Sequence, residues 1–167
     1  RCRILNYLDS EDNVKIFLLA AFVAIAAGCG VHKSQSYYGQ KPQILSTELD
    51  GSYAISCWGK GRNSDEAMKE VQKQAVYEVV FNGVTSASAN IQSLKPLILT
   101  VNAKDKFADW SNVFFADGGE YLKIARNTTE EPVQAGFEER NEVMCQAGVS
   151  VDVAGLKKVL IESGIIK

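Results

Sequence analysis

The sequence predicts an α+β fold: a small antiparallel sheet of about three to four strands, packed against a long Ala-striped helix and a short C-terminal helix. Three patterns carry the prediction. Tyr53, Ile55 and Cys57 alternate with Ser52, Ala54 and Ser56, the period of a half-buried strand. Ala67, Val71, Ala75 and Val79 recur every fourth residue, the spacing of one helix face. Val143, Cys145, Ala147, Val149, Val151 and Val153 alternate with Met144, Gln146, Gly148, Ser150 and Asp152, which makes a long one-sided strand.

The first strand runs to Gly59-Lys60-Gly61, and a helix start follows at once. Asn63 or Ser64 can accept backbone N–H bonds, and Glu66 sits where a capping-box acid belongs. The helix is expected from Ser64 to Phe81, with Lys69, Gln72 and Lys73 on its polar side and Asn82-Gly83 as its stop. Its alanines allow close approach to a sheet. Glycines before a helix start can cradle an anion, but the phosphate-loop pattern is absent and Asp65 and Glu66 would repel one. A tight strand-to-helix turn is the expectation.

The middle is less regular. Ser86 to Asn90 reads as a loop and Pro96 to Val101 as a short extended segment. Asn102 and Asp105 look like a cap for a short helix carrying Phe107, Trp110 and Phe114 on an apolar stripe. Such a stripe is usually core; its sharper reading is a partner-docking surface. Asp117-Gly118-Gly119 ends this helix, and Glu120 to Ala125 reads as a strand. Asn127-Thr128-Thr129 matches a glycosylation pattern and reads as a solvated loop. Val133 to Glu138 is expected to pair with the long strand across a turn at Glu139-Arg140-Asn141. Leu156, Val159, Leu160 and Ile161 form the closing helix, which stops at Ser163-Gly164.

Ahead of this domain lies an apolar run, Ile16 to Gly28, led by Lys15 and closed by Cys29. It is too short to span a bilayer, which needs roughly 20 apolar residues. It has the length of a secretory h-region. The ending Ala26-Ala27-Gly28-Cys29 resembles a bacterial lipobox, with Ala26 where such motifs usually carry Leu. The expected division is therefore a leader over 1–28, a polar tether over 29–50 behind a lipidated Cys29, and one domain over 51–167 with an aromatic insert at about 97–125. Palmitate-type acyl chains on Cys29 would provide the membrane partner, since two or more chains hold stably.

A net charge of −2 gives no electrostatic case for nucleic acid. Of the four cysteines, Cys2 lies in the leader and Cys29 is the lipid site. Cys57 and Cys145 either form a disulfide, if their strands are neighbours in an oxidising compartment, or stand as two isolated buried thiols. No metal site is expected, because there is no Cys-x-x-Cys and His32, in the tether, is the single histidine. Without a histidine in the domain, no nucleophile–base pair is evident either. Glu130-Glu131 and Glu138-Glu139 are adjacent carboxylates that cannot converge on a substrate. No catalytic residue and no cofactor is expected.

The order of strand, alanine-spaced helix, irregular insert, hairpin and short C-terminal helix resembles the Lpp-twenty-like lipoprotein family. That family's domain is similar to the N-terminal domain of flagellar assembly protein T. The resemblance rests on the lipobox-like end at Cys29, on Gly59-Lys60-Gly61-Arg62-Asn63-Ser64-Asp65-Glu66-Ala67, and on Val149-Ser150-Val151-Asp152-Val153 leading into Leu156. It covers roughly Ser52 to Leu160, with Leu97 to Ala125 as an insertion. It implies an envelope lipoprotein with a binding or assembly role, an envelope protein partner and no catalytic residue. The lack of an acidic cluster after Cys29 favours an outer-membrane position facing the periplasm. A hydrolase or small-ligand carrier with a pocket lined by Trp58, Phe107 and Trp110 is the alternative. Self-association through a sheet edge is the third reading.

Overall fold

The computed structural model describes residues 41–129 and 142–167, together with the backbone of 133–137. The leader, Cys29, His32, the start of the tether, the paired glutamates and the Glu139-Arg140-Asn141 turn lie outside the described residues. The class is α+β, with a sheet larger than expected. Among the described residues there are six strands: β1 (Gln43–Thr47), β2 (Tyr53–Gly61), β3 (Thr85–Ser86), β4 (Ala125–Asn127), β5 (Val133–Phe137) and β6 (Glu142–Val151). The order is β3-β1-β2-β6-β4, with β5 also paired to β6. Pairing is antiparallel except between β1 and β3, which run parallel, so the sheet is mixed. Around it lie α1 (Ser64–Phe81), α2 (Ala103–Lys106), α3 (Ala108–Phe114), α4 (Tyr121–Ile124) and α5 (Val153–Glu162).

β2 and β6 form the centre, in register from Tyr53 opposite Val151 to Gly61 opposite Val143. Ile55, Cys57, Cys145, Ala147, Val149 and Val151 point to one face and are buried beneath α1. The helix presents Ala67, Val71, Ala75, Val76, Val79 and Val80 to that face, a stripe richer in valine than in alanine. Its ends are fixed by local chemistry. The Asn63 side chain accepts from the Glu66 N–H at 2.8 Å, while the Glu66 carboxylate accepts from the Arg62 N–H at 3.0 Å. At the other end Gly83, with φ at +77°, turns the chain and donates to the Glu78 carbonyl. The segment after it returns beneath the helix, so that the N–H groups of Leu97 and Ile98 donate to the carbonyls of Val79 and Val80. Those carbonyls would otherwise lack helical partners.

Gly59 and Gly61 permit this packing. A Cβ on Gly59 would stand 2.3 Å from the Ala67 carbonyl oxygen and 2.5 Å from the Val71 nitrogen. The glycine pair is therefore a close-approach device that lets the first turns of α1 rest on β2.

Three places differ from expectation. Residues 43–47, assigned to the tether, form β1; only Ile44 is buried there, and a register shift between Ile44 and Ser46 breaks the alternation. The stretch 120–125, expected as a strand, is a helical turn, α4, leading into β4. Tyr121 and Ile124 both reach the core from one side of that turn. At the C-terminus, Val153 belongs to α5 rather than β6: the Asp152 side chain accepts from the Gly155 N–H at 2.8 Å and starts the helix. Leu156 and Leu160 complete the core.

Candidate functional site

The sequence-derived candidates are distributed, not gathered. Phe114 is 2% exposed and stacks on Trp110 with ring centroids 4.7 Å apart. Phe114 is thus part of the core, with Phe107 and Trp110 packed against it at partial exposure. Phe115 and Tyr121 join it, and Tyr77 meets Phe115 edge-on at 5.8 Å, which ties the insert to α1. The expected cap differs too: Asn102 adopts a left-handed conformation and its side chain makes no capping bond.

The aromatic pocket of the carrier reading is not formed. Trp58 alternates with the buried Cys57 and Gly59, so it lies on the sheet face away from α1. Phe107 and Trp110 belong to the core on the α1 side. The sheet separates them.

Cys57 and Cys145 are neighbours on one face but not opposite one another. Cys57 faces Ala147, and Cys145 faces Gly59. Both are buried free thiols. Burial, and secondarily the charge of Glu78, pushes the Cys57 thiol from 9.0 up to about 12, so it carries no thiolate at neutral pH. Cys145 Sγ lies 4.0 Å from Ser64 Oγ at the start of α1. Asn127 and Thr128-Thr129 are structural as well: Thr129 Oγ1 accepts the Gly148 N–H at 2.8 Å, extending the edge beside β4. Among the described residues no cluster of His, Cys, Asp or Glu could hold a metal ion, and no helix is long and apolar enough to cross a membrane.

What the fold does bring together is a cleft of about 510 Å³ between α1, the end of β2 and the 117–121 segment. Lys60, Arg62, Glu66, Lys69, Glu70, Lys73, Asp117 and Tyr121 line it. Lys60 bonds Glu142 at 2.6 Å. Tyr121 forms the floor: its side chain is 2% exposed, and its hydroxyl bonds to no other described residue and is not sealed from the cleft. Burial first, then the charges of Asp117 and Glu70, raise its pKa, so the hydroxyl is held protonated. No family model, curated protein or solved structure matches this chain.

The site must therefore be read from its own chemistry. The cleft sets carboxylates, cations and a tyrosine hydroxyl side by side, an arrangement that can engage a charged group. Sequence spacing could not find it, because its lining comes from three separated stretches. The one legible trace is the polar face of α1, where Lys69 and Lys73 already stand apart from the apolar stripe.

Proposed function

We propose that this chain is a non-catalytic, lipid-anchored protein of the bacterial envelope, periplasm-facing on the outer membrane, whose α+β domain binds a partner during envelope assembly. The observation that carries this reading is the Lys15-led apolar run ending in Ala26-Ala27-Gly28-Cys29. Acylation of Cys29 would hold the domain at a lipid surface through two or more chains, each buried CH₂ contributing about 0.8 kcal/mol. Membership in the Lpp-twenty-like family belongs to the same proposal. It is supported by the succession of β2, the closely docked α1, the aromatic insert, β5 with β6, and α5. A charge-lined cleft on a rigid sheet-and-helix frame, and a Cys57 thiol held far from ionisation, suit binding over group transfer.

Mass spectrometry of the membrane fraction from bacteria making the full chain tests the anchor. The expected N-terminal species begins at an acylated Cys29, and Cys29→Ser leaves the protein unprocessed. An unmodified Cys29 with the residues before it still attached overturns the reading.

A further inference from the structure

On the polar face of α1, charges of one sign follow each other at helical spacing: Glu66 precedes Glu70, and Lys69 precedes Lys73. Like charges four residues apart repel by a few tenths of a kcal/mol. The same face also carries acid-before-base spacings, Asp65 to Lys69 at four residues and Glu66 to Lys69 and Glu70 to Lys73 at three, so both signs stand side by side along the cleft. Lys60 meets Glu142 outside the cleft, and among the described residues no salt bridge joins Arg62, Lys69 or Lys73 to Glu66, Glu70 or Asp117. Glu70 and Lys73 are half-buried, so their charges are less screened than those of a free surface.

The floor adds a polarity. The Tyr121 hydroxyl, in a side chain nearly wholly buried, opens into the cleft with no described partner, and Glu70 and Asp117 are the charges that bear on it. The floor therefore favours a positive, hydrogen-bond-donating group. Lys69, Lys73 and Arg62 offer cations at the same cleft, with Arg62 and Lys69 exposed at its rim. A phosphate alone would meet Glu66, Glu70 and Asp117, and an amine alone would meet the lysines. A ligand carrying both signs satisfies both sets.

We infer that this cleft binds a short zwitterionic peptide, its ammonium group against Glu70, Asp117 and the Tyr121 hydroxyl and its carboxylate against Lys69, Lys73 and Arg62. The volume of about 510 Å³ lies within the range of small-ligand sites and admits a few residues. The inference rests on the reading of the domain as a binding module, and not on its lipid anchor.

The test is a calorimetric titration of the detergent-solubilised full chain with Ala-Ala-Ala, its N-acetyl form, its C-terminal amide, and inorganic phosphate. Saturable binding of the free tripeptide is expected, weakened about fivefold by either block, since each removes one charge-assisted contact. Tyr121→Phe keeps the buried ring and should weaken the free and acetylated peptides unequally: about fivefold for the first and little for the second. Lys73→Gln should show the converse selectivity against the amide, while Lys158→Gln on α5 changes nothing. Phosphate binding as tightly as the tripeptide, equal binding of all three peptides, or no binding by a chain whose circular dichroism and melting are native, each overturns the zwitterion site. An unprocessed Cys29 with intact tripeptide binding would remove the anchor and leave this cleft standing.

Discussion

The two faces of the β2–β6 ribbon are built on opposite terms. Beneath α1, Ile55, Cys57, Ala147, Val149 and Val151 leave no polar side chain to be satisfied, and contact is so close that Gly59 has no room for a methyl group. On the other face the same strands carry a row of polar pairs. Gln146 Nε2 donates to Ser56 Oγ at 3.1 Å, Ser150 Oγ donates to a Glu48 carboxylate oxygen at 2.9 Å, and Lys60 meets Glu142 at 2.6 Å. One face is held by volume and the other by pairs. Volume is unforgiving, because a backbone pressed on a strand cannot rotate aside; pairs are individually modest, because water competes for each partner.

Substitutions on each face should therefore differ in size. Gly59→Ala is expected to destabilise the domain by about 3 kcal/mol, since the new methyl meets helix backbone and α1 must lift; chemical denaturation of the purified variant measures it. Alkaline titration comes next. The Cys57 thiol is protonated in the fold until about 12 but ionises from 9.0 when unfolded. Above 9.0 the unfolded state thus binds fewer protons, and stability should fall with pH, by at most about 1.4 kcal/mol per unit, until the folded group also titrates. Cys57→Val should flatten that slope in melts recorded from pH 8 upward, and an unchanged slope would assign it to other groups.

On the polar face the expected effects shrink. Ser150→Ala removes the donor to Glu48 and should cost about 1 kcal/mol. Lys60→Gln should cost about 0.5 kcal/mol, because its ion pair is a third exposed on each side and is screened by salt; a salt series on both proteins separates the charge from the packing. A Ser150→Ala penalty equal to that of Gly59→Ala would erase the distinction between the faces.

The helix face was the legible one. The four-residue recurrence from Ala67 to Val79, with Asn63 before it and Gly83 after it, placed α1 at its observed limits, because cap and stripe are local properties. The alternation from Val143 to Val153 marked β6 but overran its end, because Asp152 caps a helix that takes Val153. What the sequence left hidden depends on contacts between distant segments. Gln43–Thr47 buries only Ile44, so no alternation marks it, and it is a strand because β2 and β3 lie beside it. Tyr121–Ile124 has strand-forming residues, yet helical spacing sends both Tyr121 and Ile124 into the core, and tertiary burial overrides propensity. Trp110 and Phe114 share α3, but Phe107, expected on the same helix, falls in the break between α2 and α3, and nothing in the spacing tells which way the aromatic face turns. The cleft was least visible of all, since Arg62, Lys73 and Asp117 meet only once α1 is docked.

The outer margin of β6 has a consequence for how the molecule behaves in company. Asn127 stands opposite Val149 and Val133 opposite Gln146, so the chain running along this margin advances further than the strand it accompanies. The edge a second copy would meet on this side is therefore two short pieces, Ala125–Asn127 and Val133–Phe137, rather than one long strand. Fibrous growth needs one uninterrupted comb of unpaired amide and carbonyl groups. Two short pieces present fewer consecutive unpaired groups than one long edge strand would.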